Sequence, residues 1–103
     1  MDGNGYNASI MTTEPGECYI CGFHRETARH EIFNGPDRRL SKKYGLWVDV
    51  CPACHARIHA DGKKYDYLKN AAQRRFEALW GHDEFIRIFK VNYLWPEEWQ
   101  WTD

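Results

Sequence analysis

The chain has 103 residues, 43% hydrophobic and 16% aromatic, with 14 Lys+Arg against 15 Asp+Glu and a formal net charge of −1. That length gives room for one small domain, a size that often needs a metal or a disulfide to hold its core. The N-terminus "MDGNGYNASIMTTEPG" has no basic start, and no run of about eighteen apolar residues occurs, which argues against a signal peptide and a membrane span and for a soluble, cytoplasmic protein.

The charge is uneven. Residues 14–90 hold all 14 basic and 11 acidic residues, a balance of +3, whereas 91–103 carry −3 and no base. A globally acidic balance is poor for gripping DNA, whose affinity comes largely from phosphate neutralisation.

In chain order, residues 1–16 read as a flexible leader ending at the turn pair Pro15-Gly16. Residues 17–94 read as the folded domain and 95–103 as a Trp-rich acidic tail. "LWVDV" predicts a strand over Leu46 to Val50, with Leu46, Val48 and Val50 on one face. A helix is expected from about Cys54 to Ala60, closed by Asp61-Gly62 with Gly62 as a left-handed cap. "DYLKNAAQRRFEALWG" gives the clearest helical pattern, with Leu68, Ala72, Phe76 and Leu79 on one face, Asp66 as cap and Gly81 as stop. Asp83 is expected to cap a shorter helix, "EFIRIFK", offering Phe85, Ile86, Ile88 and Phe89 to the core.

The chemistry concentrates in two sets of residues. Cys18 and Cys21, then Cys51 and Cys54, form two C-x-x-C elements with 29 residues between them. Two thiolates three residues apart in a tight turn converge on one tetrahedral ion, and Gly22 relieves the backbone where the first turn closes. The expectation is a structural Zn2+ site with every position filled; disulfides suit a reducing cytoplasm poorly. His55 and His59 lie four apart on the expected helix and share a face. A knuckle, a strand, then a strand leading into a knuckle and helix is the layout of a treble-clef fold, and it would let His30 or Glu31 face His59. These residues can hold a second cation, or His55 can simply pack beside the zinc.

Several segments in order resemble the HNH, or ββα-metal, endonucleases, most nearly a phage and prophage branch of that family. The segments are "CYICG", "RHEIFNG", "RRLSKKYGLWVDVCPACH" and "AAQRRFEALWGHDEFIRIFKVNYL", beside family patterns such as "HHIFGG" or "HEIF", "LS-x-x-YGL" and "LCP-x-x-H". The resemblance spans about residues 18–94 and implies an α+β, zinc-stapled treble-clef core with C-terminal helices. It places His30 on the strand metal ligand, His59 on the helix ligand, and His55 directly after the last zinc cysteine, with Mg2+ or Mn2+ at that second site. Glu31 stands where the family has its general-base histidine, and Gly45 and Leu46 stand where it has an asparagine. A carboxylate with a pKa of about 4.3 is a weaker base than imidazole at about 6.5.

Arg38, Arg39, Lys42 and Lys43 load the "NGPDRRLSKKYG" loop with positive charge, either to grip phosphate or a partner, or as a solvated surface. Trp95, Trp99 and Trp101 suit either core completion or a partner-binding anchor. Two functions follow. In the first, a phage-encoded zinc-binding protein binds and inhibits a host nucleic-acid-targeting complex in the bacterial cytoplasm, in the manner of an anti-CRISPR inhibitor of a Cas nuclease. In the second, the protein is a metal-dependent DNA endonuclease or nickase with His30, Glu31 and His59 in catalysis. The altered base and the acidic tail favour the first.

Overall fold

A computed structural model describes residue 3, residues 5–11 and residues 13–94. The fold is α+β, with a two-stranded antiparallel sheet and four α-helices among the described residues. Strand β1 (Ala28–Glu31) is followed by a 3-10 turn (Gly35–Asp37), helix α1 (Arg38–Tyr44) and strand β2 (Trp47–Val50). Helix α2 (Pro52–Ala60), a 3-10 turn (Gly62–Tyr65), helix α3 (Tyr67–Trp80) and helix α4 (His82–Phe89) complete it.

The strands pair Ala28 with Val50, His30 with Val48 and Glu31 with Trp47. Side chains alternate along a strand, so His30, Val48 and Val50 share one face while Glu31 and Trp47 share the other. Leu46, Val48 and Val50 are fully buried, as their spacing predicts. The first face is the core face.

The second face is covered by the N-terminal segment, and this corrects the reading of residues 1–16 as a flexible leader for its described part. Ile10 N–H donates to Gly45 O at 2.9 Å, Ser9 Oγ to Trp47 O at 2.7 Å, and Trp47 Nε1 to Asn7 O at 2.8 Å. Tyr6 and Met11 are buried. The close approach is set by Gly45, which caps α1 in the left-handed conformation, φ 69°. A Cβ there would lie 2.1 Å from the Ala8 carbonyl oxygen, so only glycine admits the segment.

The segment expected to be a basic loop is instead helix α1. Arg-Arg-Leu-Ser-Lys-Lys-Tyr contains no breaker, and Gly45 ends it cleanly. Ser41, fully buried, ties this helix to the end of β1: it donates to Phe33 O at 2.6 Å and accepts from Phe33 N–H at 2.9 Å.

Helix α2 begins two residues earlier than expected, because Pro52 suits a first turn and the Cys51 sulfur accepts from Cys54 N–H. Gly62 does not supply a left-handed cap; it opens the 3-10 turn, in which Asp61 accepts from Lys64 N–H. Neither Asp66 nor Asp83 caps through its side chain, and α4 starts at His82 with Gly81 before it. On α3, Leu68, Ala72 and Phe76 are buried as expected, but Leu79 is 50% exposed. The last turn of α3 extends past the core, and α4 turns back beneath Phe76 instead. Phe85 and Phe89 stack at 4.4 Å, and Phe33 meets Phe89 at 4.9 Å and Tyr93 at 5.1 Å. This aromatic cluster holds the end of β1 against the helical extension. No described helix is long and apolar enough to cross a membrane.

Candidate metal centres

The two C-x-x-C elements converge. Sulfur atoms of Cys18, Cys21, Cys51 and Cys54 all lie within 4.8 Å of one another, with Cys21 Sγ 3.8 Å from Cys51 Sγ. All four are free of disulfides. Each knuckle closes in the same way: Cys21 N–H points to Cys18 Sγ and Cys54 N–H to Cys51 Sγ, both at 3.5 Å. Gly22 takes φ 78°, the left-handed turn that the first knuckle requires.

The electrostatics fit a divalent soft cation. Burial raises the Cys18 thiol, yet amide donors from Cys21, Cys51 and Ile20 bring it down to about 6. The amide of Cys54 lowers Cys51, whereas burial and its three sulfur neighbours push Cys54 up to about 12. Four thiolates in so small a volume require a positive ion, and four sulfurs at tetrahedral reach are the donor set of structural zinc.

A second convergence lies on the core face of the sheet. His30 is buried on β1, and His55 and His59 occupy successive turns of α2. One ring nitrogen from each lies within 4.8 Å of the others. The ring centroids stand 5.4 Å apart for His30 and His55, 6.2 Å for His30 and His59, and 4.7 Å for His55 and His59. Burial lowers the His30 pKa to about 4, aided by repulsion from His55 and His59, and burial also lowers His55. His30 is therefore neutral at pH 7, with a nitrogen lone pair free to coordinate.

Glu31 does not join this trio. It sits on the opposite face of β1, where its carboxylate accepts from Tyr6 Oη at 2.6 Å and from Arg38 Nε at 2.8 Å. Its side chain is only 12% exposed. Burial opposes ionisation there, but the Tyr6 and Arg38 donors win and hold its pKa below the ordinary carboxylate value. Sequence alone left open whether His30 or Glu31 faces His59; the pleat assigns the place to His30. Glu31 is thus neither a ligand of the trio nor a base of raised pKa.

The basic residues of α1 are likewise on the far side. Arg38 is engaged by Glu31, and Lys42 Nζ lies 4.9 Å from the Tyr6 ring centroid. Arg38, Arg39 and Lys42 line a shallow surface depression with Gly35 and Pro36, and Lys43 Nζ lies 5.3 Å from the Tyr44 ring. Trp95, Trp99 and Trp101 lie outside the described residues.

Residues that sequence reasoning missed border the trio. A cavity of about 250 Å3 opens beside His30 and His59, walled by Asn34, Tyr65, Asp66 and Lys69 over a floor of Ile32, Ile58 and Leu68. The sequence marked Gly62 and Asp66 as cap positions and Leu68 as a core position, and none of them hinted at a cavity. No family of known proteins, no curated protein and no solved structure matches the chain.

Proposed function

We propose that this chain is an HNH-like, ββα-metal domain of treble-clef type in which the cysteine set holds structural zinc and the histidine trio holds a second ion that serves phosphodiester hydrolysis. The observation that carries the reading is the convergence of His30, His55 and His59 from two elements, with His30 and His59 also lining a cavity. Chance packing of histidines gains little from burying one of them unprotonated beside two others. His30, His55 and His59 would hold the ion, which when bound would supply Lewis-acid chemistry toward a phosphoryl oxygen and water.

The donor set argues against Mg2+, which prefers oxygen ligands in octahedral array; imidazole suits Zn2+, Co2+ or Ni2+, and Mn2+ less well. Bound there, such an ion would lessen the need for a histidine at position 31. His30 and His59 are ligands in this reading, His55 completes the set, and Glu31 fixes the sheet.

The test is nicking of supercoiled plasmid by zinc-loaded protein supplemented in turn with Zn2+, Co2+, Mn2+ and Mg2+. Cleavage supported by zinc-class ions and lost in both His30→Ala and His59→Ala is expected. Failure of every ion to support cleavage would remove the hydrolytic reading.

A second reading keeps the scaffold for binding: inhibition of a host nucleic-acid-targeting complex, such as a Cas nuclease, by occlusion. The engaged Glu31 supports it, because the position of the family's base has been given to structure. The acidic tail with Trp95, Trp99 and Trp101 supports it by composition alone. Co-elution with a purified host nucleoprotein complex, unchanged by His59→Ala, would favour this reading over hydrolysis.

A further inference from the structure

The cavity beside the trio has a composition of its own. Its floor is aliphatic, from Ile32, Ile58 and Leu68, and Tyr65 adds an aromatic wall. Two exposed polar side chains on its wall make no side-chain hydrogen bond among the described residues. The Asn34 amide and the Asp66 carboxylate stand where helix caps usually bond, yet neither makes a side-chain cap bond. Both are therefore available to a ligand, one offering a donor and an acceptor, the other an acceptor. Lys69 from α3 supplies a cation on the same wall, its Nζ 5.5 Å from the Tyr93 ring centroid. Lys63 and Lys64 lie in the 3-10 turn whose Gly62 and Tyr65 line the cavity. Two histidines of the trio, a lysine, an apolar floor, a tyrosine and two polar side chains thus meet in one place.

We propose that this cavity binds a single unpaired nucleotide, with its phosphate at the histidine trio and Lys69 and its base between Tyr65 and the aliphatic floor. A volume of about 250 Å3 suits one nucleoside and is too small for a base pair. Asn34 and Asp66 meet the Watson–Crick edge, which is free only in an unstacked base, as in enzymes that flip a nucleotide out of the helix. The basic surface of α1 lies on the other face of the sheet, so the phosphate here depends on Lys69 rather than on Arg38 or Lys42. The inference rests on a metal bound at the trio, and it commits the substrate to single-stranded or locally opened nucleic acid.

The experiment titrates the full chain, loaded with zinc at both centres, with thymidine 5′-monophosphate, thymidine and inorganic phosphate by calorimetry. The monophosphate should bind at least about tenfold more tightly than either fragment. Asn34→Ala combined with Tyr65→Ala should erase that advantage while leaving phosphate binding intact. Cobalt spectra of the same variant check that the trio still holds its ion.

Equal affinity for phosphate and monophosphate, an advantage that survives the double variant, or no binding at all would each overturn the nucleotide site. Nucleotide binding without plasmid cleavage would leave this site standing and remove the hydrolytic reading. Cleavage without any nucleotide advantage would do the reverse.

Discussion

Helix α2 belongs to two centres at once. Its first turn carries Cys54, which joins the knuckles, and His55, which with His59 one turn on faces His30 of β1. Around the cysteines the backbone does the work: amides point at sulfur, a left-handed glycine closes the turn, and three of the four residues are buried. Around the histidines the donors are side chains from two separate elements, graded from buried His30 to exposed His59, and a cavity opens beside them. A closed set of four is suited to holding the fold, and an open set of three is suited to meeting a ligand. Position along one helix therefore separates the closed set from the open one by a single residue, Cys54 to His55.

The largest effect should come from breaking the closed set. Cys51→Ser, or a strong chelator, should unfold the protein, because ion binding of this type contributes on the order of ten kcal/mol to folding. Loss of the far-ultraviolet helical signal is the readout, and a fully helical chelated sample would contradict the assignment. His59→Gln, by contrast, should leave that signal intact while abolishing cobalt binding at the second centre. A cobalt titration then saturates at one ion per chain instead of two, with the sulfur-derived absorption bands unchanged.

Acid should separate the two centres further. His30 has its pKa depressed to about 4 in the folded chain, so the unfolded chain takes up a proton that the folded one refuses. Stability from this group is complete above about 6.5 and falls as pH drops towards 4. With zinc in the cysteine set and none at the trio, the urea midpoint should fall between pH 7 and pH 5. His30→Asn should flatten that fall; an unchanged slope would show that His30 is not the group responsible.

Smaller still is the effect expected at Glu31. Glu31→Gln should cost about 1 kcal/mol, the scale of a hydrogen bond to a charged group that is only partly lost. Cobalt affinity at the trio should remain within about twofold, less than half a kcal/mol. A large fall in cobalt affinity would bring Glu31 back as a ligand.

Much of this was legible in the residues. The paired cysteine spacing named its own centre, since no tertiary information is needed to see that two such turns can share an ion. The alternation in Leu46, Val48 and Val50 marked a strand, and the steps between Leu68, Ala72 and Phe76 marked a helix. The i, i+4 pair His55 and His59 was visible for the same reason. What could not be read was which face of β1 looks inward, because a period of two gives alternation but not direction. His30 or Glu31 remained equal until Tyr6 and Arg38 were seen to claim the carboxylate. Helix α1 was hidden by its charge: four basic residues in one short stretch resemble a loop, and only burial of Ser41 and the turn at Gly45 reveal the helix. The cavity escaped because its walls come from three separated stretches, around Asn34, Ile58 and Tyr65.

Gly45 carries one more consequence. The Ala8 carbonyl occupies the space that a side chain at position 45 would need, and Ile10 bonds to the Gly45 carbonyl. An external strap of backbone, residues 6–10, steadies the hairpin there. A researcher who trims the gene to begin at the first knuckle would keep every metal ligand and discard that strap. Such a shortened protein would still carry the four cysteines, yet Trp47 would lose its cover and Glu31 its phenol partner. Residues 6–10 are thus a component of the hairpin that the chain supplies ahead of it.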